Sequence, residues 1–228
     1  MHQIRTILDY KELLVLGYKK EQLDKILKVI NSYSPKAIKD KIDAMRTLGY
    51  STENIVVMSS RFPHVFCYSV DNMQSKLIDM YNLGYKYSEL LKMTLSLPAI
   101  YSYDINRIET TINNMIGLGY SYQEVLRMTS AYPAIYSCSY DNMKEKIEFY
   151  DSIDMHALAI VDPKQLMQGV DLTYARYKFY TEQALREINI DNYKMLFISD
   201  KNFERLYGLT KKDLLEMYKY KPSSKQMQ

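Results

Sequence analysis

Leu-Gly-Tyr stands at residues 16–18, 48–50, 83–85 and 118–120, so Gly17, Gly49, Gly84 and Gly119 follow one another at intervals of 32, 35 and 35 residues. A chain that repeats at such a period is committed to stacking copies of one small helical unit, because a single unit cannot bury its own apolar face. Pro63, Pro98 and Pro133 keep the 35-residue interval. Aligning from Pro163 recovers another copy, in which KQLMQGVDLTYARYKFY stands where AIYSCSYDNMKEKIEFY stands after Pro133.

The residues between these landmarks spell out the unit. Six positions after each proline come Ser69, Asp104, Ser139 and Gly169, and Ser34 holds the same slot ahead of Pro35; all are residue types favoured at helix N-caps. From the cap, apolar side chains at Met73, Leu77, Met80 and Leu83, matched by Ile108, Ile112, Met115 and Leu118, form one buried helical face. Glycine then ends the helix in the left-handed conformation, with the following tyrosine folded back on the last turn. Ser121-Tyr-Gln-Glu124 is a capping box that opens a second helix, and Ser51 occupies the same slot. That second helix ends where the next proline drives its predecessor out of the helical region. The pattern predicts first helices near 2–16, 34–48, 70–83, 105–118, 140–153 and 170–184, each followed by a shorter partner. The fold class expected is all-α: a superhelical α-solenoid of about 35-residue two-helix repeats with a small helical C-terminal cap. Residues 1–184 read as the solenoid, 185–220 as the cap, with Ser199 and Thr210 as N-caps and Gly208 as the break, and 221–228 as a flexible tail.

Composition sets wider bounds. The 228 residues are 47% hydrophobic and 25% charged, enough for a sizeable core, and a net charge of +3 neither demands nor forbids a polyanionic partner. Two cysteines, Cys67 and Cys138, sit in different columns two repeats apart, which speaks against a disulfide framework or a structural zinc. The N-terminal stretch carries Asp9 and Glu12 in a helical pattern and shows neither a signal core nor a transit peptide. Nor is there an uncharged apolar run near the ~18 residues a membrane span requires. The expectation is a soluble, intracellular monomer, cytoplasmic rather than organellar, without cofactor, metal or membrane association.

The recurring elements FPHVFCYSVDNM…LGYKYSELLKM, LPAIYSYDIN…LGYSYQEVLRM and YPAIYSCSYDNM resemble the mitochondrial transcription termination factor family, the mTERF proteins, over roughly residues 10 to 182. The resemblance implies an all-α solenoid that binds nucleic acid, duplex DNA in most members and RNA in some, along a basic concave face. It further implies a regulator of transcription. The other reading of the same fold is a protein-interaction solenoid that takes a peptide or partner domain on its concave face.

A surface that tracks regularly spaced phosphates needs basic residues recurring once per repeat in one column. Eight positions before the glycines stand Asp9, Lys41, Lys76, Thr111, Lys146 and, by the proline alignment, Arg176. Eight positions after them stand Lys25, Val57, Lys92 and Arg127, with Arg61 one turn beyond Val57. The candidate nucleic-acid-binding residues are therefore Lys41, Lys76, Lys146, Arg176, Lys92, Arg127, Arg61 and Lys25. Tyr68 and Tyr103, five residues after their prolines, are candidate platforms for stacking bases, while Phe66, Tyr101, Tyr136 and Leu166 read as inter-repeat packing. Catalysis finds no support: His2, His64 and His156 are scattered, no nucleophile pairs with a base, and every repeated glycine ends a helix instead of cradling a phosphate.

Overall fold

The computed structural model describes residues 11–30 and 32–221, so the start of the first helix, His2, Asp9 and nearly all of the tail lie outside the described residues. The rest is an all-α repeat solenoid, with no strand among the described residues. First helices are α1 (Lys11–Val15), α3 (Pro35–Thr47), α5 (Val70–Asn82), α7 (Ile105–Gly117), α9 (Tyr140–Ser152) and α11 (Val170–Lys178). Second helices are α2 (Lys20–Val29), α4 (Thr52–Arg61), α6 (Tyr87–Ser96), α8 (Tyr122–Ala131) and the single turn α10 (Leu158–Val161).

Local chemistry sets the helix ends as the sequence requires. Ser34, Ser69 and Ser139 accept hydrogen bonds from the backbone N–H three residues on, and the Asp104 carboxylate accepts from the Asn106 N–H at 2.7 Å. Ser51 and Ser121 cap α4 and α8, the latter with Glu124 bonding back to the Ser121 N–H at 2.8 Å. Gly17, Gly49, Gly84 and Gly119 have φ of 101°, 92°, 97° and 102°, a region that a Cβ disfavours. Asp154 takes the slot in the fifth copy at a φ of 55°, close to the left-handed minimum that Asp tolerates.

The proline turn is more than a turn. Pro63–Cys67, Pro98–Ser102, Pro133–Ser137 and Pro163–Met167 are each one and a half turns of 3-10 helix. Proline fits the first position, where its missing N–H leaves nothing unsatisfied. The third and fourth residues of each, such as Val65 and Phe66 or Ile135 and Tyr136, are buried. Each repeat therefore contributes three packing elements instead of two.

The chain divides at Thr110 and Thr111 into two compact units, the break falling inside α7. In the first, like stacks on like: α1 on α3 on α5, α2 on α4 on α6, and the 3-10 helix Pro63–Cys67 on Pro98–Ser102. Tyrosines following the glycines bind the layers. The Tyr18 hydroxyl meets the Ser59 hydroxyl at 2.8 Å, and that of Tyr50 meets Thr94 Oγ1 at 2.5 Å and the Tyr101 hydroxyl. The Ser59 and Thr94 side chains are fully buried and also donate to the carbonyl four residues back, so each small hydroxyl is satisfied on both sides.

In the second unit α8 packs on α10, α9 on α11, and the 3-10 helix Pro133–Ser137 on Pro163–Met167. Here the Tyr120 hydroxyl donates to the His156 carbonyl at 3.0 Å, and the two rings stack with centroids 4.3 Å apart. The order of elements carries on past residue 185, where the sequence pattern lapses. Tyr193–Phe197 is another 3-10 helix, Ser199 stands six positions after its first residue, and α12 (Asp200–Tyr207) follows and ends at Gly208 with φ 71°. α13 (Lys211–Met217), capped by Thr210, then packs on α11. What hides this copy is Tyr193 in place of proline and a stretch of π-helix at Phe179–Gln183. The wider π turn takes up one extra residue, so the left-handed position falls on Leu185, one place later than in the other repeats.

Candidate nucleic-acid interface

The two basic columns occupy different environments. Lys146, expected to face outward from α9, is only 2% exposed, and its ammonium donates to the Gln168 carbonyl. Arg176 on α11 is 3% exposed; Nη1 donates to the carbonyls of Leu196 at 2.9 Å and Ile198 at 2.7 Å, and Nη2 pairs with Asp200 at 2.7 Å. Gln168 and Ile198 are the residues that terminate successive 3-10 helices, each five positions after the first. The last carbonyls of any helix lack a partner along the chain, and a cation at that negative end both donates to them and offsets the dipole. The column thus has a structural role, in which a first helix caps the 3-10 helix of the next repeat.

Lys41 follows the same rule more loosely. It is half-buried, its pKa lowered by that burial and partly restored by Cys67, the last residue of the next 3-10 helix, and by Asp71 in the first turn of α5. Lys76 is also half-buried, and Thr111 holds the column in α7 as a buried residue. For Lys146 desolvation dominates and brings the pKa down to about 8. As outward-facing phosphate contacts, Lys146 and Arg176 are corrected by their burial: neither ammonium nor guanidinium is free to reach a ligand backbone. The sequence signal for this role is their fixed position opposite the end of each proline segment.

The second-helix column behaves otherwise. Lys25 on α2, Arg61 on α4 and Lys92 on α6 in the first unit, and Arg127 on α8 in the second, are all exposed. None of the four is paired with a carboxylate among the described residues. Val57, in register with Lys25 and Lys92, is 43% exposed, so Arg61 one turn on is the cation that this repeat offers. Second helices can hold free cations here because their buried side is satisfied by apolar residues and by the small hydroxyls that meet the tyrosines.

The two stacking candidates are half-buried. Tyr68 lies parallel to Phe62 with centroids 6.4 Å apart and tilts against Tyr101, while the Arg107 guanidinium sits 4.4 Å over the Tyr103 ring. Their faces are already engaged by neighbours on their own unit. Phe66, Tyr101, Tyr136 and Leu166 are buried as the inter-repeat set. Both cysteines are free thiols. The described residues hold no group of three or more His, Cys, Asp or Glu able to bind a metal ion, and none of their helices is long and apolar enough to cross a membrane.

Stacked units of helix, glycine, helix, proline and 3-10 helix define a helical-repeat protein. The mTERF family model matches residues 8–204, and the chain belongs to the mTERF family. Comparison with curated proteins returns no match.

Proposed function

We propose that this protein binds nucleic acid, duplex DNA in preference to RNA, as a non-catalytic regulator of transcription, with the second helices presenting its phosphate contacts. The observation that carries this reading is the exposed set Lys25, Arg61, Lys92 and Arg127, unpaired with any carboxylate among the described residues and recurring on α2, α4, α6 and α8. Membership in the mTERF family supports it. Long cations that recur once per repeat along the sequence bind the phosphate backbone without reading bases, so affinity is expected to depend on salt more than on sequence.

Fluorescence anisotropy with duplex DNA, single-stranded DNA and RNA of one sequence tests the reading. Four phosphate contacts give a log–log salt slope of about −3.6, which is roughly a hundredfold loss between 50 and 200 mM salt. Replacing Lys25, Lys92 and Arg127 with Ala is expected to take about 0.9 off the slope for each and to weaken all sequences alike. Salt-insensitive binding, or none to any of the three, would refute it. That result favours the protein-interaction reading, for which Ile78 and Tyr81 of α5, 50% and 58% exposed, supply apolar surface.

A further inference from the structure

α13 ends at Met217, and the chain runs on in extended conformation, Tyr218 having φ −126° and ψ 92°. Two residues later the Tyr220 ring is seated on α9 and α11, its centroid 5.2 Å from that of Tyr174 and 6.1 Å from that of Phe149, both edge to face. We propose that residues 218–221 are a releasable strap over an interaction surface on α9 and α11, and that this surface, once uncovered, takes a basic peptide segment bearing an aromatic side chain from a protein partner.

Three observations carry it. The seat is aromatic: Phe149, 4% exposed, forms its floor, and Tyr174 and Tyr177 of α11 stand edge-on to it with centroids 5.9 and 6.0 Å away, an arrangement that suits one more ring. Its surroundings are acidic. Glu145 and Glu148 on α9 and Asp171 on α11 act on the Tyr220 hydroxyl, which burial first and then these carboxylates push up to about 12. The cations nearby are engaged, Lys144 lying 3.7 Å from Glu148, Lys178 pairing with Glu182 at 2.8 Å, and Lys146 donating to the Gln168 carbonyl. Lys219 and Lys221 flank Tyr220 and are exposed, so the strap complements the surface it covers, a ring between two cations. The strap is also held at a cost. The Tyr218 hydroxyl is buried with no hydrogen-bond partner, and lifting the strap returns it to water. α13 stays in place without it, since Leu214 is 1% exposed and the helix packs on α11. A terminal segment with one ring as its anchor and one orphaned hydroxyl against it opens before the rest of the unit. Carboxylates at the seat repel phosphate, so the surface is separate from the second-helix cations and fits a peptide instead of a nucleic acid.

The probe is a fluorescent peptide of residues 217–225, read by anisotropy against the full-length protein. Tyr220→Ala, its seat emptied, is expected to bind the peptide about tenfold or more tightly than the wild type, in which the tethered strap competes. Adding Glu145→Gln and Glu148→Gln to Tyr220→Ala removes that gain, and a peptide with glutamates in place of its lysines does not bind. Trypsin cleavage after Lys219 under native conditions reads the strap itself. It is expected to slow about tenfold in Tyr218→Phe, which deletes the orphaned hydroxyl and so holds the strap shut. Equal peptide affinity in the wild type and Tyr220→Ala, or binding by neither, overturns the proposal, as does unchanged cleavage in Tyr218→Phe. Self-association of Tyr220→Ala in sedimentation velocity overturns it too, by giving the seat to a second copy of the chain.

Discussion

Gly117 and Gly119 lie two residues apart at the end of α7, and exchanging each for alanine is expected to move stability in opposite directions. Gly117 is the last helical residue, exposed, and a Cβ added to it meets nothing within 4 Å. Alanine there gains helix propensity and removes unfolded-state entropy, worth up to about 1 kcal/mol of added stability. Gly119 sits at φ 102°, and its Cβ would lie 3.3 Å from His156 Cε1 and 3.5 Å from Nε2. The left-handed backbone alone costs an L-residue about 1–2 kcal/mol. His156 has little room to retreat, since its ring stacks on Tyr120 and its Nδ1 is 2.5 Å from Asp151. Displacing it adds about another 1 kcal/mol. Gly119→Ala is therefore expected to lose about 2–3 kcal/mol, and Gly119→Val more, because β-branched residues resist positive φ most strongly. Equilibrium urea unfolding followed by far-ultraviolet circular dichroism measures all three. A neutral Gly119→Ala, or a Gly117→Ala that loses as much as its neighbour, would show that backbone conformation does not set the helix end.

Three further outcomes follow from the same geometry. Tyr18→Phe removes the hydroxyl contact with Ser59, but Ser59 still donates to the Ile55 carbonyl, so chemical denaturation is expected to show a loss of only about 1 kcal/mol; a loss several times larger would mean that the pair holds the repeats together by more than one bond. Arg176→Met strands the Leu196 and Ile198 carbonyls and is expected to cost about 3–5 kcal/mol, whereas Lys92→Ala stays within about ±0.5 kcal/mol, and equal effects in thermal melts would contradict the division of the two basic sets. For Lys146 the folded pKa of about 8 lies below the unfolded 10.5, so above pH 8 the unfolded chain binds the extra proton and stability rises with pH through that window, by up to about 3 kcal/mol. Urea midpoints of the wild type and Lys146→Met between pH about 8 and about 10 should diverge accordingly; parallel curves would place the ammonium in a better solvated site.

The repeat is legible because its signals are local. Glycine at positive φ, serine at an N-cap and proline at a first helical position each act through their own backbone, so Gly84, Ser69 and Pro98 mark helix boundaries without reference to anything distant. The apolar face of each first helix is equally plain, since Met73, Leu77 and Met80 recur at helical spacing and all three are fully buried. The last copy is hidden where its local marks are replaced, by Tyr193 for proline and by the extra residue of the π turn.

Tertiary structure alone decided what the charges do. Lys92 and Lys146 recur with the same regularity in sequence, and periodicity is blind to which side of a helix the next repeat will cover. Packing put the first-helix column against the ends of the following 3-10 helices, where Gln168 and Ile198 present carbonyls with no other partner, and so turned Lys146 and Arg176 into caps. It left Lys25, Arg61, Lys92 and Arg127 in water. The sequence by itself determined where the helices with intact glycine, serine and proline marks begin and end, because capping and φ preference are properties of a few adjacent residues. Which cations remain free for a partner depends on desolvation and on orphaned carbonyls, which exist only once one repeat has been laid against the next.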